Sequence, residues 1–295
     1  MGRSLLPEMG SFEDDVYQVY SLCFARVPER RIHDNFLRRD MHDGPMPLDF
    51  NLWILRNAHR TVLVDTGFGQ RAADSRRRPL DFDPVDALAR LGVEPDEIED
   101  IILTHLHFDH AGNIERFGKA RFHVQDSEVG FATGRCMCEP HLRFPFDVED
   151  VVTLVRHTFA SRVTFHDGDA TPLPGISLHA VPGHTSGIQA VRVMTRRGPV
   201  VLASDASHFY ANYLRRGPFS VTVDAIATLR SYDRLRELAG SVDRIMPGHD
   251  PKVRAIYPNH EFGGISLTAL HEDPKPHDIA ELAALDRTQT EGETE

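Results

Sequence analysis

The sequence predicts a layered α/β fold built from two similar halves, and three observations point there. Short apolar runs that read as strands are interspersed with segments of helical spacing along the 295 residues. A dense polar cluster, "THLHFDHAG", follows directly on the apolar run Ile101-Ile102-Leu103, and strand ends are where α/β folds place their chemistry. A faint internal repeat completes the argument. "TVLVDTG", a helix and "DIILTH" are echoed by "VVLASDA", a helix and "RIMPGH". Each copy carries an Asp after its first strand and a His after its second, with 40 residues from Asp65 to His105 and 44 from Asp205 to His249. The repeat predicts two βα halves facing each other and contributing side chains from equivalent strand ends.

Taken in order, residues 16–27, "VYQVYSLCFARV", read as a strand of mixed burial, and Pro28 to Pro47 as a polar loop. "FNLWILRN" and "TVLVDTG" are two strands of a hairpin turning around Asn57-Ala58-His59-Arg60. Asp83 caps the helix "PVDALARLG", with Pro84 at its first position and Gly92 at its end. After the strand and His cluster comes a helix "AGNIERF", then the strand "ARFHVQ". Residues 126–166 form a long insertion in which Val148, Val151, Val152 and Val155 share one helical face. "ISLHAVPGH" and "PVVLASDA" are strands, and "DAIATLRSYDRLRELAG" is a helix ending at Gly240.

The bulk numbers narrow the function. Hydrophobic residues at 41% and charged residues at 26% place the chain among folded globular proteins, and a single domain spanning 1–295 is expected, with a frayed tail from about 285. A formal net charge of −11 argues against a nucleic-acid partner. Arg76-Arg77-Arg78 and Arg215-Arg216 read as solvated loop surface. The first residues lack a signal-peptide core, and no window approaches the ~18 apolar residues of a membrane span. A cytoplasmic protein is expected. Three cysteines suit that compartment, and the Cys136–Cys138 pair has no second pair to complete a zinc ribbon.

The chemistry lies in the His cluster. Side chains two apart on an extended segment point the same way, so His105 and His107 reach one cation together. Asp109 and His110 follow where the chain turns, and the economical arrangement is two metals, one per pair. Two divalent ions need roughly seven or eight ligand positions, some filled by water or shared groups. Strand ends supply three further candidates: His184 in "VPGHTSG", Asp205 in "LASDAS" and His249 in "IMPGHDP". The remaining twelve of 17 histidines read as ordinary.

The order of "THLHFDHAG", "VPGHTSG", "SDA" and "PGHD" resembles the metallo-β-lactamase superfamily over roughly residues 50 to 255. That resemblance implies a four-layer αββα sandwich. It implies one metal on His105, His107 and His184, a second on Asp109, His110 and His249, and Asp205 bridging the two. Asp65 would support the ligands by hydrogen bonds. Two divalent ions, zinc by expectation, would share a water and bring its pKa from ~15.7 toward ~7, giving a hydroxide nucleophile. Histidine and carboxylate ligands also suit iron, manganese or cobalt.

Within the superfamily, "HLHFDHAG", "VPGHTSGIQ" and "SDAS" are most similar to the N-acyl-homoserine lactonase branch, which implies opening of a lactone or related cyclic ester. The alternative is hydrolysis of another acyl bond, a thioester or amide, and a metal-dependent binding protein is the non-enzymatic reading. Asp109 would pass a proton to the leaving alkoxide. A tyrosine common in that branch three residues after the bridging Asp is His208 here, with Tyr210 or Tyr213 as possible substitutes for contacting the substrate carbonyl. The insertion 126–166 is expected to form a lid, with Phe68, Phe108, Phe144 and Phe146 as candidate pocket aromatics. The partner is a small-molecule acyl substrate, and the loop 28–47 is a candidate homodimer contact.

Overall fold

The structure, a computed structural model, describes residues 5–6, 15–38, 42–275 and 282. The tail expected from about 285 lies outside the described residues. Strands β1 (Gln18–Val27), β2 (Leu48–Arg56), β3 (Thr61–Val64), β4 (Asp100–Ile102), β5 (Arg121–Gln125) and β6 (Val163–His166) come first in the chain. They are followed by β7 (Ala170–Leu173), β8 (Ile176–Ala180), β9 (Gln189–Thr195), β10 (Gly198–Ser204), β11 (Ile245–Pro247), β12 (Asn259–Phe262) and β13 (Ile265–Ala269). One sheet runs β12-β13-β1-β2-β3-β4-β5-β6 and the other β11-β10-β9-β8-β7. The helices are α1 (Gln70–Arg76), α2 (Pro84–Arg90), α3 (Phe108–Ala111), α4 (Asp126–Thr133), α5 (Pro140–Arg143), α6 (Val148–Phe159), α7 (Tyr210–Leu214), α8 (Ala225–Ala239) and α9 (Lys252–Ile256).

The period-two alternation of the strands builds the layers. Trp53 and Leu55 of β2, Val62 and Val64 of β3 and Ile102 of β4 join a core shared with β8, β9, β10 and β11 of the second sheet. Their neighbours Leu52, Ile54, Leu63 and Ile101 face the opposite way, onto Val85 and Leu88 of α2 and Leu154 of α6. On the outer side of the second sheet, α8 adds Tyr232, Leu235 and Ala239. The result is the expected αββα sandwich. The hairpin after β2 turns as expected: the Asn57 side-chain oxygen accepts from the backbone N–H groups of His59 and Arg60, both at 3.0 Å. Asp83 caps α2 by accepting from Val85 and Asp86.

The repeat is architectural. In one half β3 pairs with β4 in parallel, and in the other β10 pairs with β11 in parallel. Both leading strands end in a left-handed residue, Asp65 at φ 63° and Ser204 at φ 47°. Non-glycine residues seldom hold that conformation, so each end is fixed by its surroundings.

Three local expectations need correction. "AGNIERF" is not a helix: α3 ends at Ala111, and a short 3-10 turn spans Ile114–Arg116. Gly112 breaks it by packing against the 67–68 turn, donating its N–H to the Gly67 carbonyl at 2.8 Å. A Cβ there would lie 2.3 Å from the Phe108 carbonyl oxygen. The valine stripe of α6 is not its buried face either. Asp150, Leu154 and His157 are buried, whereas Val148 is 68% exposed. His157 stacks on Phe122 with centroids 5.0 Å apart, and Asp150 pairs with Arg71 of α1 at 3.1 Å, so the partners of these two side chains, together with buried Leu154, set the rotation of the helix. Finally, 126–166 is not one lid. β6 pairs with β5 inside the sheet, and α6 packs on the core; Phe144, Pro145 and Asp147 are the stretch that reaches the cavity described below.

Asp150 gives a pH signature. Burial, then the neighbouring Asp147 carboxylate, pushes its carboxyl up to about 7, against the pull of Arg71, and among the described residues Oδ2 has no hydrogen-bond partner. Below about pH 4 the folded and unfolded states both carry the proton, so the group contributes nothing. Between about 4 and 7 the unfolded state ionises first, and stability falls as pH rises. Asp150→Asn is expected to gain on the order of 2 kcal/mol relative to the wild type between pH 5 and pH 8. Urea unfolding at the two pH values measures this, and an equal offset at both would show that Asp150 ionises normally.

Candidate metal centre

The centre forms where β3, β4, β10 and β11 end. His105 and His107 lie on the extended segment after β4, and His107 is the N-cap of α3 with φ −68° and ψ 155°. The chain then turns helical, which swings Asp109 and His110 toward a different point from the two preceding histidines. His184 comes from the turn after β8, Asp205 from the end of β10 and His249 from the end of β11.

The structure gathers these side chains into two groups, His105 with His107, His184 and Asp205, and Asp109 with His110, His249 and Asp205. Within each group one ligand atom per residue lies within 4.8 Å of the others. Asp205 belongs to both. Its Oδ2 lies 3.3 Å from His184 Nε2 and 3.8 Å from His105 Nε2, and its Oδ1 lies 2.9 Å from His249 Nε2 and 3.4 Å from His110 Nε2. His184 Nε2 and His107 Nδ1 face each other at 2.9 Å.

The outer ring nitrogens are anchored to the scaffold. His110 Nδ1 binds Asp65 at 2.7 Å, His184 Nδ1 the Val221 carbonyl at 2.7 Å and His249 Nδ1 the Asp49 carbonyl at 2.7 Å. These bonds place the proton on the outer nitrogen and turn the inner lone pair toward the centre.

Inner atoms are left without hydrogen bonds. Among the described residues His105 Nε2, His110 Nε2 and Asp205 Oδ1 are buried and have no hydrogen-bond partner; the short His249–Asp205 contact lacks hydrogen-bond angles. Buried polar groups are rarely orphaned without reason. The electrostatics divide between the groups. Burial and the crowding of neighbouring histidines hold His105 and His107 well below the usual range, so both are neutral donors. Burial also pushes down on His110, but Asp205, Asp109 and Asp65 outweigh it and hold that ring well above its ordinary value. One group offers neutral nitrogens and the other calls for positive charge, so the donor set fits two cations.

A sequence model described as the metallo-beta-lactamase superfamily matches residues 47–249. The chain belongs to the metallo-beta-lactamase superfamily. An N-acyl homoserine lactonase from Bacillus sp is 30% identical over 221 residues, covering 69% of this chain and 82% of the relative. The N-acyl homoserine lactonase AiiB of Rhizobium rhizogenes is 31% identical over 218 residues, covering 67% of this chain and 78% of the relative. Among solved structures, an N-acyl homoserine lactone hydrolase with the product N-hexanoyl-L-homoserine bound at its catalytic metal centre superposes with a TM-score of 0.66 at 26% identity. That match covers 80% of this chain and 94% of the other. A dinuclear divalent metal site is thus supported by the superfamily and by the clustered ligands.

Other expected residues fall differently. His208 is buried beside the centre, its Nε2 2.9 Å from Asp205 Oδ2 and its ring stacked on Phe219 with centroids 3.4 Å apart. Tyr210 is not brought to the site. With Tyr213 it packs into the core around the second sheet, and neither lines the cavity over the ligands. The reason is α7, whose first backbone N–H, that of Tyr210, is held by Asp250 at 2.9 Å. Phe108 and Phe144 line that cavity, whereas Phe68 and Phe146 are packed behind it. Arg76 is not solvated surface: its guanidinium lies 4.1 Å over the Phe108 ring and donates to the carbonyls of Phe144 and Phe146.

Two supporting residues escape sequence reading. Thr104 donates its N–H to Asp65 Oδ1 at 2.7 Å and its hydroxyl to Oδ2 at 2.8 Å. Glu128 of α4 is fully buried and accepts from the Leu106 N–H at 2.9 Å, the Thr185 hydroxyl at 2.5 Å and the Gly187 N–H at 3.0 Å. It clamps the loops that carry His105, His107 and His184. A Cβ at position 187 would stand 2.1 Å from the Glu128 backbone nitrogen, so a glycine is needed for that approach. The visible signal for Glu128 is an acidic residue in the first turn of a helix, which does not distinguish it from a surface charge. Glu128→Ala leaves three buried donors unpaired and is expected to cost at least about 3 kcal/mol. Metal affinity should weaken about 10- to 100-fold as the loops relax. Urea unfolding and competitive metal titration check the two effects separately.

Proposed function

We propose that the protein opens a lactone ring at a dinuclear divalent metal centre, with zinc as the metal. The observation that carries this reading is the pair of ligand groups sharing Asp205, with inward atoms that have no hydrogen-bond partner among the described residues. The named N-acyl homoserine lactonases among the relatives support a lactone as the bond attacked.

His105, His107 and His184 would hold one cation, and Asp109, His110 and His249 the other, with Asp205 between them. When bound, the cations supply Lewis-acid polarisation of the substrate carbonyl and lower the pKa of water. The remaining work belongs to the chain. Asp109 is at the floor of the cavity, where its carboxyl can carry a proton to the ring oxygen as the acyl C–O bond breaks. The apolar walls, Leu48, Phe50, Phe108, Phe219 and Val221, shield the reacting carbonyl from bulk water and strengthen nearby electrostatic contacts.

His208 takes a different role from the tyrosine it replaces. Its Nε2 lies 2.9 Å from Asp205 Oδ2, beside the carboxylate that both ligand groups share. We assign His208 to positioning the shared carboxylate.

The test is metal content together with hydrolysis of lactones, thioesters and amides by the purified protein. About two metals per chain with lactone turnover is the expected result; turnover confined to thioesters or amides would overturn the lactone assignment. Asp109→Ala should lower kcat/KM for a lactone by at least about 100-fold. Retention of near-normal turnover by that variant would remove Asp109 from the mechanism. Exhaustive dialysis against a chelator should abolish turnover and added zinc should restore it; activity that survives verified metal loss would refute the metal-dependent reading.

A further inference from the structure

The ligands form the floor of a cavity of about 500 Å³, a size suited to a small-molecule substrate. Its rim is unusual for a chain with net charge −11. Four arginines, Arg30, Arg76, Arg77 and Arg78, line it. Elsewhere arginines are commonly matched to carboxylates, as in Arg26–Asp81, Arg116–Asp83, Arg197–Asp243 and Arg254–Asp49. Among the described residues none of the four rim arginines has an acidic side chain at ion-pair distance. The one carboxylate on that wall, Asp147, is taken by Arg71 at 2.7 Å.

Neutral groups hold Arg30 and Arg76 in place. Arg30 donates to the Asn35 side-chain oxygen and to the Asp34 carbonyl at 2.9 Å, and lies 5.1 Å over the Phe219 ring. Arg76 is held by two carbonyls and by Phe108, as described. Arg78 is half-buried and touches only the Arg77 carbonyl at 3.5 Å, which leaves its fork available. Such anchors fix a guanidinium without cancelling its charge. Arg30, Arg77 and Arg78 also line a neighbouring cavity of about 840 Å³, so the cations stand where the two spaces meet. Guanidiniums with no carboxylate at ion-pair distance, standing at the mouth of a substrate cavity, are arranged to receive an anion.

We infer that the substrate is a lactone whose side arm ends in a carboxylate, and that Arg30 and Arg78 hold that carboxylate while the ring carbonyl reaches the floor. The inference rests on the cavity being the substrate site of the proposed hydrolase. It predicts a preference opposite to that of a purely apolar acyl pocket.

The experiment compares N-adipoyl and N-hexanoyl homoserine lactone, which have acyl chains of equal length and differ in a terminal carboxylate or methyl group. Metal-loaded protein should give a kcat/KM at least about ten-fold higher for the adipoyl compound, the worth of one charge-assisted hydrogen bond. Added salt should shrink that ratio. Arg78→Gln, whose side chain holds no structural contact of consequence, should lower the ratio at least about ten-fold, and Arg30→Gln should do the same. Equal rates, or a preference for the hexanoyl compound, overturn the inference. If metal is bound but neither lactone is hydrolysed, the lactone reading fails, and calorimetry with ring-opened N-adipoyl- and N-hexanoyl-homoserine decides the arm separately. Tighter binding of the adipoyl form that is lost in Arg78→Gln upholds the carboxylate clamp; equal affinities overturn it.

Discussion

The carboxylate of Asp65 organises the centre without belonging to either ligand group. It sits fully buried in a left-handed turn at the end of β3 and accepts from the Thr104 N–H, the Thr104 hydroxyl and His110 Nδ1. Because Thr104 gives its one hydroxyl proton to Asp65, its oxygen accepts from Ser204 across 2.9 Å, and Ser204 ends the equivalent strand of the other half. One buried charge thereby fixes the orientation of a ligand, the path of the chain entering the His cluster and the register between two sheets. An isolated carboxylate in that position would be costly; burial pushes this one up, and the Thr104 N–H, the Thr104 hydroxyl and the His110 ring act against that.

That stitching explains how the site can gather so much like chemistry. Five ligand imidazoles and two carboxylates share one buried volume, and water alone would not stabilise such crowding. Outer nitrogens of His110, His184 and His249 are occupied by Asp65, Val221 and Asp49, so their inner nitrogens turn toward the centre. Asp205 presents one oxygen to each group, and His208 holds it from the side. The apolar wall and arginine rim then add selectivity above a floor whose geometry is already set.

The fold and the ligands are legible in the sequence for different reasons. Strands β2, β3 and β10 announce themselves by apolar alternation, and α2 and α8 by their Asp caps and the glycines that follow them. The seven clustered side chains stand out because residue types able to bind metal follow strand ends in two matching halves. What escapes has no local pattern. Glu128 and Thr104 look like surface residues until three loops converge on the first and two sheets on the second. The rotation of α6 follows Asp150 and His157, whose partners Arg71 and Phe122 are distant in sequence, so hydropathy selects the wrong stripe. Arg76-Arg77-Arg78 reads as solvated charge because only tertiary structure brings it beside Phe108 and the cavity. Tyr210 is close to Asp205 in sequence, yet α7 turns it into the core.

All three cysteines are free, so no disulfide staples this sandwich. The ligand groups nevertheless join residues from β4, β8, β10 and β11, segments far apart along the chain. Ions held there close long loops in the unfolded chain's ensemble, as a covalent bridge would, but reversibly and without an oxidising compartment. A metal centre at this place would in that sense also be the molecule's cross-link, and losing its ions would loosen the architecture as well as the chemistry.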